Sequence, residues 1–266
     1  PPLYYILEKL FVGVVVQTEV GLRLMSALAS LVGLIFSALL GWQVGGGVGV
    51  LAGAWFWAYH PAAVLYARDA RPYAFLTMLS AASLYFFLSA QKNSGKRDRI
   101  LAGIFLGLGL LTHYFFLLTF GITLLAALVN LRRGRLFFRR WALTALVSAL
   151  PLFAWLLWFM RLENPSFGIG WIQIPVLSDL LLTLWNLFSG YGGIAAFPDL
   201  LYGAIVASLV ILGLLAKKTR SFSMLWAVIG LLVPLVGVWL ISFQRPVYID
   251  RYFLVLLPVV SMLVSA

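Results

Sequence analysis

The stretch ILAGIFLGLGLLTHYFFLLTFGITLLAALVN runs from Ile100 to Asn130 without one charged residue. Basic loops flank it, with Lys92, Lys96, Arg97 and Arg99 before it and Arg132, Arg133, Arg135, Arg139 and Arg140 after it. Positively charged loops stay on the cytoplasmic side of a membrane, so both ends of the stretch belong on the same face. A single helix of this length would measure roughly 46 Å at 1.5 Å per residue and would emerge on the wrong side. The spacing therefore predicts a hairpin of two arms of about fifteen residues, each only ~22 Å long. Its turn, around Thr112, His113 and Tyr114, falls within the outer half of a ~30 Å hydrocarbon core. Irregular backbone at that depth requires burial in protein or a wet cavity.

The whole 266-residue chain has the composition of a membrane protein, with 63% apolar residues, 10% charged residues and no cysteine. So little charge cannot cover a soluble surface. The lack of cysteine excludes disulfides, thiolate metal sites and a cysteine nucleophile. Apolar runs bounded by charge predict spans near 21 to 41, 48 to 66, 72 to 90, 141 to 160, 199 to 216 and 223 to 243, with a further run over 252 to 266. The long runs lack the alternation of a membrane β-barrel. The expected fold is all-α, a polytopic transmembrane bundle of about eight or nine membrane helices, counting the short hairpin, with juxtamembrane helices. It is expected as one transmembrane domain over 1–266, truncated at both ends, with an external loop at 161–198. Within that loop Ser178 is expected to cap a helix lying flat in the headgroup layer, apolar along Val176, Leu177, Leu180, Leu181, Leu184, Trp185 and Phe188 and polar along Asp179, Thr183 and Asn186. Trp171 either anchors at the interface or stacks on a sugar ring.

Charge then separates the two faces. The inner loops hold twelve cations, including Lys217, Lys218 and Arg220, against the single Asp98, whereas the outer face holds seven cations and seven carboxylates. The formal +11 is thus an orientation signal. The basic residues lie in short loops between spans, so no nucleic-acid partner is expected. Any chemistry belongs outside.

Three polar clusters mark that outer face. Tyr66-Ala67-Arg68-Asp69-Ala70-Arg71-Pro72-Tyr73 joins two spans; Pro72 suits a first helical turn, and a helix beginning near Asp69 would put Asp69 and Tyr73 on one side. Guanidiniums match phosphate oxygens, which makes Arg71 and Arg68 candidates; the competing reading pairs Arg68 with Asp69 among headgroups. His113 at the hairpin turn either donates to a phosphate or hydrogen-bonds local backbone. The segment Gln244 to Tyr252 repeats the chemistry with Arg245, Tyr248, Asp250 and Arg251. Glu19 and Arg23 have i, i+4 spacing for a structural ion pair. His60, beside Pro61, reads as a kink. Gly45-Gly46-Gly47 reads as a turn, with Gly49 and Gly53 as small-residue helix packing. Two histidines on different helices give no metal signature.

Pro1-Pro2-Leu3-Tyr4-Tyr5, Glu19 to Ser26, Tyr66 to Tyr73, Thr112-His113-Tyr114, and Asp250-Arg251-Tyr252 with Pro258 occur in an order that resembles the polytopic GT-C glycosyltransferases. The likeness is to the glycosyltransferase-39-like group, of mannosyltransferase and aminoarabinose-transferase type. The resemblance implies a multi-pass enzyme of the cell membrane that takes a sugar from a polyprenyl-phosphate carrier. It implies transfer with inversion to a lipid, glycan or protein acceptor at an extracytoplasmic active site. It also implies a catalytic aspartate in an external loop ahead of Pro1, and it puts Asp69 where the group often has glutamate, as a catalytic candidate. Arg71, Arg68 and Arg251, with Arg245 and His113, are then the candidates for the lipid phosphate. Glu19, Arg23, Tyr73, Tyr248 and Asp250 are structural or substrate-binding. No cofactor is expected, and a divalent metal stays open. A transporter or flippase would show inverted repeats and charges near the midplane. The charges gather at one rim instead.

Overall fold

The computed structural model describes residues 1–14, 18–129, 131–162, 170–190, 197–215 and 222–266. These form eleven α-helices and no strand among the described residues. They are α1 (Leu3–Val14), α2 (Glu19–Tyr59), α3 (Pro61–Ala67), α4 (Tyr73–Asn93), α5 (Lys96–Thr112), α6 (Leu117–Val129), α7 (Leu131–Phe159), α8 (Leu177–Ser189), α9 (Phe197–Leu215), α10 (Phe222–Ile241) and α11 (Leu257–Val264). Glu163, Tyr191, Lys217, Lys218 and Arg220 lie outside the described residues, as do the side chains of Arg132, Arg133 and Asp199.

Although α2 counts 41 residues, it is two arms folded at Gly46, whose φ of 63° and ψ of −141° interrupt the helix. The arms return against each other through their smallest residues. A Cβ on Gly41 would stand 2.0 Å from the Gly49 carbonyl oxygen. Ser37 Oγ donates to the Gly53 carbonyl at 2.8 Å, and Trp57 Nε1 donates to the Ser30 carbonyl at 3.1 Å. Lipid provides no hydrophobic force between helices, so close backbone approach and hydrogen bonds must hold the arms together. Helix α11 seats in the same glycine face, with Ser261 Oγ 2.6 Å from Ser37 Oγ. At the Gly46 end Lys92 Nζ donates to the Gln43 carbonyl at 2.7 Å, satisfying an acceptor beside the turn. Because only glycine tolerates the Gly46 backbone, Gly46→Ala should cost about 1–3 kcal/mol. A thermal shift of purified protein, compared with the open position Gly47→Ala, measures it.

Three described helices are long and apolar enough to cross a membrane, Glu19–Tyr59, Tyr73–Asn93 and Gly134–Phe159. Burial ranks them. The apolar window of α4 is 83% buried and that of Gly134–Phe159 only 11%, so α4 is the central post and α7 faces lipid. Serines along α4 tie in its neighbours: Ser80 Oγ donates to the Val255 carbonyl at 2.8 Å and lies 3.0 Å from Thr119 Oγ1.

The 100–130 stretch is a hairpin. Helix α5 ends at Thr112, His113 is extended at φ −155° and ψ 139°, one 3-10 turn covers Tyr114–Phe116, and α6 follows. With 17 and 13 residues, the helices are roughly 25 and 20 Å long. Gly109 makes the bend possible, since a Cβ there would meet the Phe116 ring at 2.2 Å. His60 is likewise extended, at φ −66° and ψ 118°, between α2 and α3. Proline disfavours the helical region for the residue before it. His60 Nε2 lies 3.2 Å from the Leu187 carbonyl, which ties the kink to α8.

Three local details differ from expectation. Helix α4 begins at Tyr73 rather than near Asp69, because the Arg71 amide bonds the Asp69 carbonyl at 2.8 Å and closes a tight turn there. Helix α8 begins at Leu177, where the Asp179 carboxylate accepts from the Val176 amide at 2.8 Å, so Asp179 and not Ser178 closes its first turn. The run over 252 to 266 opens as a 3-10 helix, Asp250–Leu256, before α11.

Candidate active site

The segment joining α3 to α4, the turn between α5 and α6, the helix α8 and the 3-10 segment Asp250–Leu256 converge. The turn before α4 sets Arg71 Nε 3.4 Å from Asp69 Oδ2, with the two side chains 54% and 40% exposed. At that exposure the pair contributes at most about 1 kcal/mol, so it orients a guanidinium rather than holding the fold. The partner of Asp69 is therefore Arg71, not Arg68. Arg68 lines a separate hollow with Ala27, Ser30, Leu34 and Trp57.

Inward from this turn, the Tyr66 and Tyr73 rings meet at 4.8 Å. Arg251 and Arg71 lie within electrostatic reach of both tyrosines, and Asp69 and Asp250 within reach of Tyr66. The His113 ring centre is 4.9 Å from that of Tyr252 and 6.0 Å from that of Tyr73. His113 Nδ1 accepts the Phe115 amide proton at 3.2 Å, so the neutral ring carries its proton on Nε2. One nitrogen thus serves the turn, and the other remains a donor.

The 3-10 segment supplies the opposite wall. Asp250 Oδ1 accepts from the Arg251 amide at 2.6 Å and Oδ2 from Asn186 Nδ2 at 3.2 Å. Arg251 Nε is buried and has no hydrogen-bond partner among the described residues. A buried, unpaired donor on a cation is costly unless something fills it.

Helix α8 contributes Asn186 because its polar side faces inward. Thr183 and Asn186 are buried, while Leu177, Leu181 and Leu182 are exposed. With lipid as the solvent, the apolar side belongs outside.

Two cavities result, and Ile172 lines both. The first, about 450 Å³, is bounded by Tyr5, Pro72, His113, Phe115, Val247 and Tyr252. The second, about 630 Å³, is bounded by Trp171, Gln173, Asp179, Thr183, Tyr248 and Asp250. Burial raises the Tyr248 phenol to about 12, with the Thr183 hydroxyl opposing and the Asp179 and Asp250 charges adding to the rise.

The structure thus brings together Asp69, Arg71, Tyr73, His113, Tyr248, Asp250 and Arg251. It leaves Glu19 and Arg23 as an exposed i, i+4 ion pair at the start of α2, and Arg245 exposed in the loop after α10. Sequence reasoning did not single out Asn186, Tyr66 or Tyr252 as site residues. The inward polar side of α8 was the available signal for Asn186. Among the described residues no three His, Asp or Glu side chains gather as metal ligands.

No curated protein and no solved structure matches the chain. Residues 1–158 match the model of a family described as dolichyl-phosphate-mannose-protein mannosyltransferase. That stretch carries Asp69, Arg71 and His113, whereas α8 and Asp250 to Tyr252 lie beyond it. The match covers more than half of the sequence, and the chain belongs to the dolichyl-phosphate-mannose-protein mannosyltransferase family, membrane glycosyltransferases that draw on polyprenyl-phosphate sugar donors.

Proposed function

We propose that this GT-C-type glycosyltransferase works on the extracytoplasmic face of the cell membrane, transferring the sugar with inversion to a lipid, glycan or protein acceptor. The observation that carries the reading is the convergence of Arg251, Arg71 and the His113 ring on Tyr73 at the start of α4, beside the cavity that His113 lines. When an acceptor hydroxyl attacks the anomeric carbon from the face opposite the phosphate, the C–O bond to the carrier breaks and negative charge grows on the departing phosphate. Fixed cationic donors at that point stabilise the transition state more than the ground state. Phosphate leaves without a proton, so a carboxylate is needed only to take the acceptor's proton. Asp69, turned toward Arg71, orients that guanidinium within electrostatic reach of Tyr73. The proton goes to the carboxylate that the family resemblance puts ahead of Pro1, with Asp69 as the alternative acceptor.

The test is transfer of radiolabelled sugar from a polyprenyl-phosphate donor by full-length protein in proteoliposomes. Arg71→Ala should lower turnover about tenfold or more with expression intact, and unchanged turnover defeats the phosphate assignment. Sidedness is open to direct measurement, because the chain lacks cysteine. In intact cells, Arg245→Cys should react with a membrane-impermeant maleimide. Lys96→Cys should react only after permeabilisation; the reverse pattern overturns the topology.

A further inference from the structure

The proposed transfer chemistry lies beyond the Thr112 end of α5 and leaves the seam between α5 and α7 without a role. A furrow of about 480 Å³ follows that seam, walled by the exposed side chains of Ile100, Ile104, Leu143 and Val147 and reaching Leu111 and Pro151. Its floor is where the helices touch. A Cβ on Gly103 would stand 2.6 Å from Thr144 Cγ2, and one on Gly107 would stand 3.1 Å from the Ser148 carbonyl oxygen. The two hydroxyls beside the floor already donate within their own helix, Thr144 Oγ1 to the Arg140 carbonyl at 2.9 Å and Ser148 Oγ to the Thr144 carbonyl at 2.8 Å. The lining therefore suits hydrocarbon. Spread along the roughly 17 Å from Ile100 to Leu111, the volume has the gauge of one extended chain and is too narrow for a helix about 10 Å across. Its length matches one leaflet, about half of a ~30 Å hydrocarbon core.

Charge at one end identifies what that chain belongs to. Gly103 meets Thr144 and Gly107 meets Ser148, so α5 and α7 run side by side in the same direction. Helical side chains four positions apart share a row. Each row lining the furrow is preceded, one turn earlier, by a cation: Lys96 before Ile100 and Ile104, Arg99 before Gly103 and Gly107, Arg139 before Leu143 and Val147, and Arg140 before Thr144 and Ser148. Lys96, Arg139 and Arg140 are exposed and Arg99 is half-buried, and none of the four has an ion pair among the described residues. The neighbouring carboxylate, Asp98, lies toward Gly95, where an added Cβ would meet its Oδ2 at 3.6 Å. Like charges gathered at one mouth repel unless an anion lies among them. We infer that the furrow binds an anionic phospholipid, with one acyl chain along the seam and the headgroup phosphate among Lys96, Arg99, Arg139 and Arg140. Guanidinium forks match phosphate oxygens, and basic pockets between membrane helices take such headgroups. The lipid belongs to the leaflet beside the 92–99 loop, the cytoplasmic one in the proposed orientation. The polyprenyl carrier is the poorer occupant, because its phosphate is required at Arg71 and Arg251, beyond the other end of α5.

The experiment places full-length protein in phosphatidylcholine vesicles with a trace of phosphatidylglycerol that carries a diazirine midway along one acyl chain. After irradiation the adducts are mapped by peptide mass spectrometry. They are expected on the furrow walls, at Ile104, Leu143 or Val147, and unlabelled phosphatidylglycerol should compete them away. Replacing both arginines, Arg99→Gln with Arg140→Gln, should lower that labelling about tenfold or more, each cation being worth about fivefold, and leave adducts elsewhere unchanged. A diazirine phosphatidylcholine that labels the furrow equally well, or unchanged labelling in the double variant, overturns the site. Should the double variant not fold, Ile104→Trp, at an exposed wall position, fills the furrow and should exclude the probe; adducts that persist on Leu143 and Val147 overturn the assignment. Displacement of the probe by polyprenyl phosphate but not by phosphatidylglycerol gives the furrow to the carrier's tail and overturns it as well. None of these outcomes bears on sugar transfer, so the transferase reading stands or falls separately.

Discussion

Arg251→Ala is expected to slow sugar transfer by about 10²–10³-fold, the loss typical of removing one preorganised donor from a developing negative charge. Arg251 surpasses Arg71 in expected effect because of its surroundings. Arg71 is half exposed and already leans on Asp69, whereas Arg251 Nε is buried and unpaired beside Tyr66 and Tyr73. Charges removed from water interact more strongly, and a donor fixed by its neighbours needs no reorganisation as the phosphate departs. The loss should appear in kcat and kcat/KM together, since the contact strengthens as charge develops. Arg251→Lys keeps the charge but loses the planar fork, so it should recover only part of the rate. A variant that folds, binds carrier and turns over at the wild-type rate would move the phosphate elsewhere.

The second large effect is on the fold. Gly49→Val should prevent assembly of the bundle, seen as loss of the monodisperse peak in detergent extracts and of the protein's thermal transition. Added methylenes in a packed core commonly cost about 1–3 kcal/mol, relieved by side-chain shifts. Here no side chain can yield. A Cβ on Gly49 would stand 2.2 Å from the Gly41 carbonyl oxygen and 2.9 Å from that of Ser265, so two helices would have to separate. Separation would also break the Ser37 contacts to Gly53 and Ser261. Gly121→Val is the control, because its Cβ position is open. Equal behaviour of the two variants would show that the glycine face does not hold the hairpin.

What sequence reveals here depends on how local the cause is. The turn at Gly46 and the hairpin around His113 were legible because charge patterning forces both ends of a stretch to one side, and glycine or an irregular polar run marks the bend. The kink at His60 was legible for a similar reason, being dictated by Pro61 alone. The start of α4 was not, because the Asp69–Arg71 turn competes with the helix through a single backbone bond. Nor was the 3-10 geometry of Asp250–Leu256, whose apolar sequence suits an α-helix equally well; tertiary packing decides between them. For the site, residue types pointed to Arg71, His113 and Arg251 as a class. They could not separate these from Arg68, Arg245 and Arg23, which carry the same charge on the same face but turn to other surroundings. Which cation points inward is a property of helix rotation, and Asn186 shows the same dependence from α8.

The seat of α11 between the glycine-lined arms has a consequence for biogenesis. Ser37 and Ser261, which touch across that seam, are 224 positions apart. At ribosomal speeds of about 5–20 residues per second, the early hairpin waits roughly 10–45 s for its partner to be synthesised. Throughout that interval its cleft must be occupied by lipid or by the insertion machinery. Assembly in the bilayer is thereby obliged to finish late, and a nascent chain arrested before α11 would present an open seam to whatever quality-control protease patrols the membrane.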